Sequence, residues 1–211
     1  VISRWANASA GLDALLNPWV LVMGLAVMFL ARVLGSLYII NNVDDNDIRS
    51  RSRMSMAASV VPFLVLFVAY LVHLLLKEGF AVDPQTGAVG MEPMKYLHNY
   101  LAMPLLAALT LAGVVLVLYG VARTIRDKAY VRGIWPVGVG TVMVVLSLLL
   151  VAGWNDTAYY PSTADLQSSL TIANSCSSAF TLRTMFYVSL LVPFVVAYIA
   201  YVWRVMDKRE G

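Results

Sequence analysis

Apolar residues in this chain gather into long unbroken runs, without the regular polar stripe that gives a water-soluble helix or strand its solvent face. Runs long enough to cross about 30 Å of hydrocarbon at about 1.5 Å per residue occupy residues 18–40, 57–76, 99–121, 135–153 and 185–205. The pattern predicts an all-α integral membrane protein with five transmembrane helices. Runs of this length exclude a closed β-barrel, whose strands are short and alternate in polarity. Four of the runs hold no charged residue short of their ends, whereas the first holds Arg32 well inside. Residues 1–17 then form an external segment and 18–211 a transmembrane helical domain, with an external loop at 154–184.

The basic residues set the orientation, because Lys and Arg beside span ends stay on the cytoplasmic side. One side collects Arg49, Arg51, Arg53, Arg123, Arg126, Lys128, Arg132, Arg204, Lys208 and Arg209, and the other only Arg4, Lys77, Lys95 and Arg183. Loops 41–56 and 122–134 and the C-terminus are therefore expected in the cytoplasm. Trp19, Tyr38, Tyr96, Tyr100, Trp135, Trp154 and Trp203 fall near predicted span ends, where an amphipathic ring suits the headgroup level. Pro104 and Pro193 lie inside predicted spans and are expected to kink them. The loop at 154–184 is rich in Ser, Thr and Asn, and its length points to a functional or docked segment.

Composition narrows the classes further. Charged residues make up 13% of the 211, hydrophobic residues 60%, against roughly 25% charged in soluble domains. A formal charge of +3 is too small for an electrostatic nucleic-acid binder, and the hydrophobicity excludes disorder. A single cysteine, Cys176, leaves neither an internal disulfide nor a CxxC metal site. The chain opens on Val1 and lacks a signal-peptide pattern, which reads as a processed chain or a piece of a longer one.

Candidate chemistry is sparse. Arg32 is the most informative residue, since an ionisable group inside a span normally faces a partner, a cavity or a ligand; the alternative is that its stem lies along the helix and its head reaches the nearer interface. His73 and His98 fall near the same face, so a haem held by both is conceivable, although interfacial histidines are more often simply solvated. Asp44, Asp45 and Asp47 precede Arg49, Arg51 and Arg53, an alternation that suits a solvated surface. No HExxH, GxSxG or phosphate-binding glycine loop occurs, and no catalytic residue, metal site or cofactor site is assigned to this chain.

Tyr160-Pro161-Ser162-Thr163, then Ser169-Leu170-Thr171-Ile172-Ala173-Asn174-Ser175, then Ser177 through Met185, and Leu15-Leu16-Asn17-Pro18 opening a span through Gly35-Ser36-Leu37-Tyr38, together resemble subunit II of cytochrome bd quinol oxidases. The resemblance covers the C-terminal part of that family's chain. It implies a four-helix bundle plus one additional helix, in the bacterial cytoplasmic (inner) membrane, with the C-terminus in the cytoplasm. It implies a terminal oxidase that oxidises quinol and reduces O2 to water, with haem b and haem d in the partner, subunit I. Subunit II would then be the structural partner, with a bound quinone or lipid, and would assemble with the N-terminal half of subunit II and a small accessory helix subunit. Arg32, Pro161, Ser162, Thr163 and Asn174 are the candidate structural or ligand contacts. Arg32 departs from the neutral polar residue or histidine that the resemblance suggests there, and Asp44–Asp47 looks like an acidic insertion. Two readings stand beside it: a stand-alone carrier using Arg32, and a small membrane cytochrome using His73 and His98.

Overall fold

The computed structural model describes residues 12–162 and 165–206, in two compact units, Val1–Ile172 and Ala173–Gly211. Five helices among the described residues are long and apolar enough to cross a membrane: Pro18–Asn42, Asn46–Leu76, Pro104–Arg126, Ile134–Gly153 and the interrupted Ala179–Met206. The chain is an all-α, multi-pass membrane protein, and four of its five crossing helices lie in the first unit.

In that unit α1 (Pro18–Asn42) starts where Asn17 accepts a hydrogen bond from the Trp19 amide (3.0 Å) and Pro18 supplies a preset φ. The second helix, α2 (Asn46–Leu76), begins well before the predicted 57 and takes up most of the expected loop 41–56. Asp45 is the cause: its carboxylate accepts from the Asp47 and Ile48 amides, each at 2.9 Å, and nothing between it and Pro62 breaks a helix. A cap of this kind satisfies amides that the turn leaves free, so the charged first turns stay helical outside the apolar stretch.

The predicted span 99–121 is two elements. A short α3 (Lys95–Ala102) ends, and α4 (Pro104–Arg126) starts afresh at Pro104. Met103, just before the proline, sits at φ −122°, ψ 70°, outside the helical region that a following proline disfavours. Pro104 therefore opens a helix instead of kinking one. The fourth crossing helix, α5 (Ile134–Gly153), matches its predicted bounds within a residue.

Around the bundle α1 packs on α2, α4 on α5, and lighter contacts of α1 with α5 and α2 with α4 close the ring. Its interior is Ala26, Val33, Leu37, Met56, Val60, Phe63, Val117, Val121 and Val137. The α4–α5 seam is the tightest: a Cβ added at Gly113 would lie 2.7 Å from the Gly140 carbonyl oxygen, and one at Gly140 2.5 Å from that of Gly113. Only glycine allows the two backbones so close.

Between α2 and α3 lies a hairpin that the hydropathy pattern did not anticipate, β1 (Gly79–Val82) antiparallel to β2 (Val89–Glu92). Asp83 shapes its turn, accepting from the Gln85 amide (2.9 Å) and the Thr86 hydroxyl (2.7 Å), while Gly87 takes φ +71°. Residues 156–158 and Gln167 pair with this hairpin. Ala158 N donates to Phe80 O (2.9 Å), Val82 N to Asp156 O (2.8 Å), and the Gln167 amide both accepts from Val89 N (3.0 Å) and donates to Val89 O (2.9 Å).

The second unit holds α6 (Ala179–Ser189) and α7 (Val192–Met206). Helix begins six residues ahead of the predicted 185, within the stretch expected as loop, because Ser178 caps it through the Thr181 amide (3.3 Å). The break at Leu190–Leu191 precedes Pro193, where the ring removes an amide and crowds the previous turn.

Candidate functional site

The most densely bonded polar group of the first unit sits where α3, α4, α5 and the segment after α5 meet. Asn99 is fully buried. Its amide donates to Val151 O (2.9 Å) and to the Thr157 hydroxyl (2.8 Å), and its carbonyl oxygen accepts from the Asn155 amide (3.0 Å). Asn155 and Asp156 reach this position through left-handed backbone, φ 56° and 51°, which Asn and Asp tolerate better than most residues. A second buried chain runs alongside: the Thr110 hydroxyl lies 3.2 Å from that of Tyr100 and 2.5 Å from that of Ser147, tying α3 to α4 and α4 to α5. Each of these groups is satisfied, and none is a nucleophile facing a base. The arrangement holds helices together.

At the same end Glu92 bridges Lys95 and His98. Its oxygens lie 3.2 Å from the Lys95 ammonium, itself buried, and 2.7 Å from His98 Nδ1. The His98 hydrogen bond, against the opposing effect of burial and with further help from Lys95, holds the Glu92 carboxyl below the usual carboxylate range. The Thr86 hydroxyl and neighbouring amides likewise lower Asp83. Burial pushes the Tyr96 phenol up, so it stays neutral.

At the opposite end Arg53 donates from Nε to Thr124 O (3.2 Å) and from Nη2 to Lys128 O (2.7 Å) and Tyr130 O (3.4 Å). A cation on the last carbonyls of α4 is favoured by the helix dipole. The bond also shows that the basic segments 49–53 and 123–132 lie together at one end of the bundle, as the charge pattern requires. Arg123 stacks on Tyr130, 4.5 Å from the ring centre, and donates to the Tyr119 hydroxyl.

The sequence candidates are scattered. Arg32 is exposed on a flank of α1, about 100° round the helix from the buried Val33 and one turn before the buried Ser36, and it makes no hydrogen bond or ion pair among the described residues. Ten residues separate it from the end of α1 at Asn42, about 15 Å along the axis, so it lies near the middle of the crossing helix. Pro161 is exposed. Ser162 is drawn in by a bond from its amide to the Ser169 hydroxyl (3.0 Å), and its own hydroxyl accepts from Asp165 N (3.3 Å). Thr163 lies outside the described residues, and Asn174 is exposed in the second unit.

His73 stacks on Trp19, rings 3.8 Å apart and 3° from parallel. His98 is bonded to Glu92 and does not line the groove beside His73. Among the described residues no three His, Cys, Asp or Glu side chains converge on a metal-sized site. Sequence reading missed Asn99, Glu92, Lys95 and Arg53. The i,i+3 spacing of Glu92 and Lys95 was a local signal, but the partners of Asn99 and Arg53 lie more than fifty residues away.

With this geometry in place, comparison with known proteins is decisive. The family model for cytochrome bd terminal oxidase subunit II matches residues 2–206. The chain belongs to this family. Curated relatives include the cytochrome bd-I ubiquinol oxidase subunit 2 of Escherichia coli strain K12, 28% identical over 209 residues, covering 92% of this chain and 53% of the relative. The same protein from Escherichia coli O157:H7 matches to the same extent. The chain thus spans about half the length of the curated relatives it matches. The resemblance of Tyr160–Met185 to a cytochrome bd subunit II is borne out by the family, and so is the expectation of five membrane-crossing helices by the fold.

Proposed function

We propose that this chain forms the C-terminal part of subunit II in a bd-type terminal oxidase of the bacterial inner membrane, which oxidises quinol and reduces O2 to water. In this reading it is the structural partner of a haem-bearing subunit I. The haems b and d sit in that partner, and no residue of this chain touches the reacting atoms. Residues 1–17 precede the transmembrane domain on the outer side, and the C-terminus faces the cytoplasm with the Arg53 end of the bundle.

The observation that carries the reading beyond family membership is Arg32. A guanidinium at the centre of a crossing helix costs about 2.5–3.5 kcal/mol on insertion scales. Here it faces outward from its own bundle. A protein surface laid against that flank, with a carboxylate or carbonyls for the guanidinium, removes the cost; open lipid does not. The contacts of Ser162 and Asn174 with neighbouring subunits belong to the same proposal.

The test is gentle detergent purification of the tagged chain from its native membrane, with an absorption spectrum and identification of what accompanies it. A larger partner carrying b- and d-type haem bands is expected. A colourless chain without that partner would overturn the reading and return Arg32 to a carrier.

A further inference from the structure

At the end of the bundle opposite Arg53, a groove of about 240 Å3 opens between the start of α1 and the end of α2. Its polarity is graded along the helices. Val20, Met23, Leu74 and the ring of Tyr70 line it on the side of the spans, and Asn17 and Lys77 line it where both helices reach their ends. Trp19 and His73, stacked face to face, form one rigid wall at the level where aromatic rings meet lipid headgroups. No carboxylate lines the groove. Lys77 has no ion pair among the described residues, whereas Lys95 and His98 at the same end are both held by Glu92. Asn17 commits its side-chain oxygen to the Trp19 amide, which leaves its amide hydrogens to donate.

We propose that this groove binds one phospholipid with a net negative headgroup, its phosphate on Lys77 and Asn17 and its acyl chain along Val20, Met23 and Leu74. The shared chemistry is a phosphate anion. The apolar side-chain track that continues from the charged end calls for an amphiphile instead of a free ion, because inorganic phosphate has nothing to place against it. A zwitterionic headgroup gains less, since its ammonium finds no acidic partner in the lining. The proposal concerns this chain's own surface and does not depend on the oxidase reading.

The experiment is native mass spectrometry of the intact complex from native membranes, delipidated and then titrated separately with phosphatidylglycerol, phosphatidylethanolamine and inorganic phosphate. One phosphatidylglycerol retained per chain is expected, with little phosphatidylethanolamine and no displacement by millimolar phosphate. Lys77→Gln should weaken retention about five-fold, the worth of one basic residue at a lipid surface, while Lys77→Arg keeps it. Both variants change only an exposed side chain, so folding is not at stake. Equal retention by Lys77→Gln and the wild type, equal retention of both lipids, or displacement by inorganic phosphate would each overturn the proposal. These lipid counts do not depend on haem bands, so they stand apart from the outcome of the purification test.

Discussion

Asn99 shows how one side chain can set the geometry of a helix junction. Its amide and carbonyl satisfy a helix-end carbonyl, a threonine hydroxyl and a second asparagine, and Asn99, Val151 and Thr157 are all buried. Replacing it by Leu leaves the buried Val151 carbonyl without that partner, at roughly 1–3 kcal/mol, and releases the half-buried Asn155 amide as well. Asn99→Leu is therefore expected to lower the melting temperature of the purified protein clearly, and an unchanged melt would contradict the network. Glu92 acts differently, through charge. Because its carboxyl is held below the usual range when folded, its stabilisation is complete above the ordinary value near 4.5 and is lost as pH falls through the lowered one. Hydrogen exchange over 79–98 should accelerate on acidification through and below that value, and Glu92→Gln should flatten the response. A wild-type profile that is already flat would remove Glu92 from that role.

At the scale of elements, the α4–α5 seam is fixed by the mutual approach of Gly113 and Gly140. Gly113→Val must push the helices apart, because the added carbons meet a backbone oxygen that has no rotamer to adopt. A loss of about 1–3 kcal/mol is expected from overpacking. Gly138 is the control: it has open space around its Cβ position, so Gly138→Ala should be neutral or slightly stabilising through helix propensity. Equal losses at the two sites would show that the seam is not what limits stability. The positions of the spans were legible in the sequence, because a bilayer demands one long apolar run per crossing. Their ends were less so. Whether a helix stops at the membrane surface is decided by local chemistry, the Asp45 cap extending α2 and Pro104 restarting α4, and hydropathy does not register either. The four-residue strands of the hairpin carry too short a pattern to stand out, and the Asn99 network joins residues more than fifty positions apart.

For the whole molecule the decisive quantity is what lies against the outer flank of α1. Arg32 was legible as an anomaly from the sequence alone, but its exposure was not, since only the packing of α1, with Val33, Leu37 and Ile40 inward, leaves its side chain on an open flank of its own bundle. From the middle of α1, about 15 Å from the helix end, a snorkelling side chain covers only part of the distance to water. If a partner subunit supplies the counter-charge, Arg32→Leu strands that group in the interface, at a cost of roughly 3–5 kcal/mol. The expected result is a loss of most of the co-purifying partner, with Arg32→Lys retaining more of it and Arg32→Gln falling between. Melting of the separated chain should change little, because the residue has no bonding partner among the described residues. Full recovery of the assembly with Arg32→Leu would place the guanidinium against lipid and leave the docking face of this chain to be sought elsewhere on its surface.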